Sequence, residues 1–397
     1  MNQLPVSRNR IQSIDLLRGL VMVIMALDHV RDFFHSEAFT DDPTNMATTT
    51  PWLFFTRWIT HFCAPTFVFL SGTSAFLMGQ KRTKKQLSKF LITRGLWLVF
   101  VELFIITLGW TFNPFYNFFI LQVIWAIGIS MIILGLLVLC PVQVILIYGL
   151  LVVFGHNLLD YPEAARSGQV GFWWNLLHHA QFSQYTIWKN HYALIVYAFV
   201  PWSGLMALGY CFGVFFKADV PAEVRRKRLI RLGLAITALF IILRFINAYG
   251  DPHHWSSQPR GTVYTFLSFL NTNKYPPSLM YLSMTIGPAI LFLAFIEKVQ
   301  SGLGNFFITY GRVPFFFYVL HFYLIHIFCV IAFFASGHTT SQIVTPQFPF
   351  LFRPPTFGFN LWVVYGVWIT VVLLLYPLCR WYNRYKASHH HWWLSYT

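Results

Sequence analysis

About ten apolar runs, most near 18 residues or longer and joined by short polar stretches, constrain this chain more than any other feature. A helix rises about 1.5 Å per residue and the hydrocarbon core of a bilayer is about 30 Å thick, so runs of this length are membrane helices. They lie near residues 14–35, 53–79, 90–109, 118–139, 141–156, 192–216, 229–248, 279–297, 306–335 and 360–380. The pattern predicts an all-α polytopic membrane protein with about ten transmembrane helices in one bundle, a single domain over 1–397. Composition agrees: 56% of the 397 residues are hydrophobic and 10% are charged, against about 25% charged in soluble domains.

The opening MNQLPVSRNRIQSIDLLRG has no small-residue cleavage site, so the first helix is expected to be retained. Cys63, Cys140, Cys211, Cys329 and Cys379 sit within or at the ends of apolar runs without metal-type spacing. They read as packing residues, with no disulfide framework and no metal. The formal charge of +15 punctuates apolar runs and no aromatic RNA-binding motif accompanies it, so no nucleic-acid partner is expected.

Basic residues collect at alternate ends of the runs: Arg8 and Arg10; Lys81, Arg82, Lys84, Lys85 and Lys89; Lys217 and the cluster VRRKRLIRL; then Arg380, Arg384 and Lys386. The positive-inside rule places these ends, and both termini, in the cytoplasm. The VRRKRLIRL cluster reads first as an inner-surface anchor, with anionic lipid or a cofactor phosphate as the lesser reading. The longer connections near 36–51, 157–190, 249–278 and 336–358 then all lie outside, rich in Trp, Tyr, His and Pro.

The stretch LLRGLVMVIMALDHVRDFFH, 16–35, begins as an apolar helix and then carries Asp28, His29, Arg31 and Asp32. At helical rise, Asp28 and His29 lie about 20 Å above the start of the run, in the outer half of the core. Arg57 and His61 on the descending second run share a helix face and reach the same level. Arg244, His321 and Gln122 fall at comparable depth. Charged groups there are costly unless they face one another or a wet cavity, so a polar chamber open to the outside is expected. Each has a structural alternative: Asp28 can hold Arg57, Arg244 can bind carbonyls, and His61, His321 or His326 can bridge helices. His29 has the strongest functional claim, as an imidazole with Asp28 beside it to orient it as a general base. Lower in the bundle, Arg18, Arg94 and Arg312 could converge on an anionic ligand or serve as anchors. Asp15 can pair with Arg18, and Glu102 on the third run needs a partner of its own. No P-loop, HExxH, GxSxG or paired CxxC motif is present.

RIQSIDLLRGLVMVIMALDH (10–29), PTFVFLSGTSAFL (65–77), LQVIWAIG (121–128), VPWSGLMALGYCFG (200–213), NKYPPSLMYLSMTIGP (273–288) and GRVPFFFYVLH (311–321) together resemble the transmembrane acyltransferases. The order of these segments over nearly the whole chain is most similar to bacterial relatives of heparan-α-glucosaminide N-acetyltransferase. The resemblance implies acetyl-CoA, or another acyl-CoA, bound from the cytoplasm, and transfer to an amine or hydroxyl of an extracytoplasmic sugar or glycan. It implies a bacterial cytoplasmic membrane location, with membrane lipids as neighbours and a homodimer left open. In the acyltransferase-3 group a catalytic histidine follows an Arg-Gly pair at the spacing of His29 from Arg18-Gly19. In the lysosomal enzyme that position resembles an asparagine and the catalytic histidine comes later, where His35 is the nearest match; the position of His61 resembles an aspartate there.

The expected catalytic set is therefore His29, Asp28, His35, Arg57 and His61, with Arg57, His61 or Gln122 stabilising the oxyanion; direct transfer and an acetyl-histidine both stand. Arg18, Arg94, Arg312 and Gln122 are the expected donor-binding residues, and Lys274, Tyr275, Trp202, Arg244 and His321 the expected acceptor-binding residues. The rivals are a proton-coupled transporter or lipid-linked flippase, for which the two halves show no convincing repeat, and a structural or sensory protein.

Overall fold

A computed structural model describes residues 11–167, 169–297, 301–345, 349–389 and 391–395; Arg8 and Arg10 lie outside them. The described chain is mostly helical, with one small sheet. Helix α1 (Gln12–Phe34) has Asp15 in its first turn and Arg31 in its last, each sign suited to the helix dipole at that end. Most of its residues are buried, so a helix that carries charges at both ends is also the central one.

Helix α2 (Pro51–Thr60) starts on Thr50, whose hydroxyl accepts from Leu53 N at 3.3 Å, and α3 (Cys63–Gly79) continues the same span after a break at His61. Pro65 has no N–H to offer the carbonyl four residues back, that of His61. The Tyr281 hydroxyl donates to that carbonyl instead, at 2.9 Å. Helix α4 (Lys84–Phe100) opens on a capping box between Thr83 and Gln86, passes through a π-helical turn (Val101–Ile106), and ends as α5 (Thr107–Thr111). Strand β1 (Phe118–Leu121) precedes α6 (Val123–Leu137).

Helix α7 (Val142–Gly155) leads through a 3-10 turn at His156–Leu159 into the short α8 (Asp160–Ala165) and α9 (Phe172–Leu177). Strands β2 (Ser183–Trp188) and β3 (His191–Ile195) complete the sheet, with β3 in the middle, antiparallel to β2 and parallel to β1. Then follow α10 (Phe199–Phe212), α11 (Ala222–Ile246), α12 (Thr262–Leu270), α13 (Leu279–Ile296), α14 (Gly302–Arg312), α15 (Pro314–Ala335) and α16 (Leu361–Ser388).

Eight helical stretches among the described residues are long and apolar enough to cross a membrane. Helix α1 adds a 23-residue helix whose charges keep it out of that count, and α6 is a shorter apolar helix of 15 residues. Three expected spans need correction. The runs 118–139 and 192–216 each begin as a strand, because Phe118–Leu121 and His191–Ile195 pair with each other instead of coiling. The run 306–335 is two helices broken at Val313, since Pro314 cannot continue α14 but suits the first turn of α15.

Helix α1 packs on α14 at backbone contact. A Cβ on Gly19 would fall 1.8 Å from the Phe307 carbonyl oxygen, and one on Gly311 would fall 1.7 Å from that of Asp15. Small residues let membrane helices approach this closely. The sheet and the described parts of the connections 36–50, 247–261 and 336–360 share one face of the bundle, here the loop face, where Arg260 binds the carbonyls of Met46 and Thr49 and His35 bridges Phe359; by the alternation of the helices the basic turns near Lys84 and Arg225 belong to the other.

Candidate active site

Between the helices, under the loop face, lies a chamber of about 1750 Å³. Its wall includes Asp28, His29, Arg31 and Asp32 of α1, Arg57 of α2, His61, Arg94 of α4, Gln122, Lys274 and Tyr275. Its mouth is bordered by residues 39–46, His253 and His254. Both Met22 and Ser71 line it, so it runs about 9 Å below Asp28 along α1 and about 12 Å below Cys63 along α3. The expected outer-level set of Asp28, His29, Arg57, His61 and Gln122 therefore meets on one cavity, joined by Lys274 and Tyr275 from the segment before α13.

Asp28, Arg31 and Asp32 share a face of α1, three and four residues apart. Arg31 Nη2 donates to Asp32 Oδ1 at 2.6 Å and to Asp28 Oδ1 at 3.2 Å. The other Asp28 oxygen accepts from Arg57 Nη1, with Lys274 Nζ 3.9 Å away. Two carboxylates and three cations thus face one another, which satisfies charges that lipid could not. The expected orientation of His29 by Asp28 is not what forms: one helical position turns the imidazole about 100° away from the carboxylate.

His29 meets α15 instead. Its Nδ1 lies 2.6 Å from His321 Nε2, and its ring stacks on Phe322 and stands edge-on to Trp110. His321 Nδ1 faces two backbone carbonyls, Tyr318 O at 2.5 Å and Phe317 O at 3.2 Å. Carbonyls only accept, so the His321 proton is on Nδ1 and its Nε2 is the acceptor. His29 must then carry its proton on Nδ1, leaving the lone pair of Nε2 as the free position of a ring on the chamber wall. His321, expected to touch acceptor, is instead the partner that fixes the His29 tautomer.

Other expected residues separate. His61 is buried on the chamber wall, edge-on to Tyr281. Gln122 sits just ahead of α6, and its backbone N–H donates to Glu102 Oε1 at 3.1 Å, so Glu102 finds its partner in a helix N-terminus. Tyr275 packs edge-on against Tyr197 and Phe182, and Lys274 Nζ lies 5.1 Å from the Tyr275 ring centre.

His35 does not line the chamber. It follows the end of α1, where its Nδ1 accepts from Glu37 N at 3.3 Å and its carbonyl accepts from Arg353 at 2.6 Å. Burial, with Arg31 and Arg353 nearby, lowers its pKa to about 4. Trp202 is fully buried against Tyr197 and forms core. Arg244 reaches the chamber wall, but its guanidinium is bound by the carbonyls of Phe269, Ser268, Asn271 and His253. The loop needs those carbonyls covered, which explains a cation at that depth.

Two of the three lower arginines meet on Asp15 and the third, Arg94, stands apart. Arg18 donates to Ser74 Oγ at 2.8 Å and to Asp15 at 3.3 Å, and Arg312 Nε lies 3.9 Å from the other Asp15 oxygen. Arg312 lines a separate pocket of about 180 Å³ with Gln12, Arg380 and Arg384, whereas Arg94 lines the main chamber. The sequence reading missed Trp110 and Tyr318, which lie in apolar runs and carry no signal of their own.

A family model described as heparan-α-glucosaminide N-acetyltransferase, catalytic, matches residues 10–244. That range holds Asp28, His29, Arg57, His61, Arg94 and Gln122, and ends before Lys274 and His321. No curated protein matches the chain.

Proposed function

The chain belongs to the heparan-α-glucosaminide N-acetyltransferase catalytic family, and on that premise we propose that it moves an acetyl group from cytoplasmic acetyl-CoA to an amine or hydroxyl of an extracytoplasmic sugar. The observation that carries this reading is His29, paired with His321 behind it, on the wall of a large chamber between helices. The chamber exceeds the roughly 300–1,000 Å³ of most small-ligand pockets, which suits two substrates meeting in one cavity.

His29 Nε2 takes the proton of the acceptor as its nitrogen or oxygen bonds to the acyl carbon, and returns that proton to the sulfur as the carbon–sulfur bond breaks. His321 holds the ring in the tautomer that can do this. Arg57 and Lys274, anchored through Asp28, put positive charge on the same wall, where it would meet the negative charge developing on the acyl oxygen. His61 and Gln122 are further donors on that wall. Arg94, about 15 Å from the start of α4, is the deep cation that would meet the donor. The positive-inside distribution of Lys81–Lys89, Lys217–Arg231 and Arg380–Lys386 supports a loop face turned outward and cytoplasmic termini, and a bacterial cytoplasmic membrane is the compartment this fits.

The test is acetyl transfer by purified protein in lipid nanodiscs, from labelled acetyl-CoA to a panel of amino sugars and hydroxyl sugars, with binding of acetyl-CoA and free acetate measured in parallel. Transfer that falls about 10²- to 10⁴-fold in His29→Ala supports the reading. Absence of both acetyl-CoA binding and transfer to every acceptor would overturn it and favour a transporter.

A further inference from the structure

Away from the chamber's catalytic wall, the segment after α7 gathers three histidines and two carboxylates. Glu163, His156, His178 and His179 are all buried, and Asp160 is half-buried. One ligand atom from each of Asp160, Glu163 and His178 lies within 4.8 Å of the others. His156 Nδ1 adds a second imidazole, 3.1 Å from His178 Nε2. Glu163 also holds His179 Nδ1 at 2.8 Å and the indole N–H of Trp174 at 2.6 Å.

The two nitrogens of His178 face different partners, Glu163 and His156. His178 Nδ1 lies 2.6 Å from Glu163 Oε1 and must carry a proton, since a carboxylate only accepts. In a neutral ring His178 Nε2 is then the acceptor, His156 donates from Nδ1, and His156 Nε2 is left as a buried lone pair with no hydrogen-bond partner. If His156 instead turned its Nε2 proton toward the nearby Pro277 backbone, His178 would need both of its protons and become a cation. A metal ion on His178 Nδ1 would take the place of the proton facing Glu163, leaving His178 Nε2 to donate to His156 Nδ1.

We propose that this cluster is a binding site for a divalent transition-metal ion of the zinc type, held by Glu163, Asp160 and Nδ1 of His178, with His156 bound to the other His178 nitrogen. Mixed imidazole and carboxylate donors favour such ions over magnesium or calcium, which take oxygen. Trp174 and His179, bonded to the same Glu163 carboxylate, are the outer partners that orient it. The site's place in the fold gives it a structural task. Asn157 binds Asp160 with its amide and accepts from Leu279 N at 2.9 Å, tying the cluster to the start of α13. On its other side the chain leaves His179 through three left-handed residues, Ala180, Gln181 and Phe182. Phe182 then packs on Tyr275 at the chamber wall.

The experiment uses the full chain without a histidine tag and with the histidines at 389–391 replaced by alanine, so that the run near the C-terminus does not chelate. After chelation and dialysis, metal content, the absorption spectrum with Co²⁺, and thermal unfolding are measured with Zn²⁺, Co²⁺ or Mg²⁺ present. The expected result is about one Zn²⁺ or Co²⁺ per chain, a tetrahedral Co²⁺ spectrum, and a raised unfolding temperature that Mg²⁺ does not reproduce. Glu163→Gln and His178→Ala are expected to lose affinity by at least about tenfold. Absence of stoichiometric metal in the unsubstituted cluster, with an unfolding temperature indifferent to Zn²⁺, would overturn the proposal without recourse to any variant. Equal Zn²⁺ affinity in folded His178→Ala would overturn it as well.

Discussion

Replacing His321 with Phe tests the tautomer argument directly. The substitution keeps a flat ring against Phe317 and Phe322 but removes the acceptor 2.6 Å from His29 Nδ1. His29 then either keeps a buried N–H without a partner, at about 1–3 kcal/mol, or moves its proton to Nε2 and ceases to be a base. At about 1.4 kcal/mol per tenfold, the predicted fall in kcat is about 5- to 150-fold, short of the roughly 10²- to 10⁴-fold expected of His29→Ala. The KM for acetyl-CoA should change by less than about twofold, because the residue acts through His29 and not on the donor. His321→Gln, which supplies an amide oxygen, should recover part of the loss. The double variant should be no slower than His29→Ala alone, since the two residues act as a unit. Steady-state acetyl transfer in nanodiscs, with unfolding temperatures to confirm folding, provides the measurement. A folded His321→Phe with wild-type kcat beside an inactive His29→Ala would refute the tautomer argument.

Three further outcomes are expected. Asp28→Ala strands Arg57 and Lys274 in the bundle, while Arg31 keeps Asp32, and should destabilise by about 3–5 kcal/mol in reversible denaturation; Asp28→Ala/Arg57→Ala should be less destabilised than the sum of its parts, and simple additivity would contradict the pairing. Gly311→Ala drives a Cβ into the Asp15 carbonyl and should cost about 1–3 kcal/mol or more, whereas Gly366→Ala, inside α16 with open space around it, should not lower the unfolding temperature. His35 has a folded pKa of about 4 against an ordinary value near 6.5, so between these values the unfolded chain binds more protons. Stability should therefore fall as pH drops through that window and level off below it; His35→Gln should flatten this part of the profile, and an unchanged slope would count against the assignment.

Much of the membrane architecture was legible in the residues, because spanning length and apolar content follow from bilayer thickness and are local properties. The breaks at His61 and Val313 fall inside runs expected to be continuous, although Pro65 and Pro314 in those runs each withhold an N–H that an unbroken helix needs. The common level of Asp28, His29, Arg57 and His61 could be counted from helical rise, and they do line one chamber.

Partner choice could not be counted. Sequence adjacency made Asp28 look like the companion of His29, but neighbours on a helix point about 100° apart. Packing of α1 against α15 gave His29 to His321, and packing against α2 selected the Asp28–Arg57 pair that the sequence offered only as an alternative. The same limit sent Trp202 into the core and left the choice of carbonyls at Arg244, one of its two expected roles, to the fold. It also hid the Glu163 cluster, whose members are drawn together only when α8 and α9 fold back on each other. Depth is set along one helix and can be read from the chain; azimuth and neighbour are set between helices, and tertiary packing decides them.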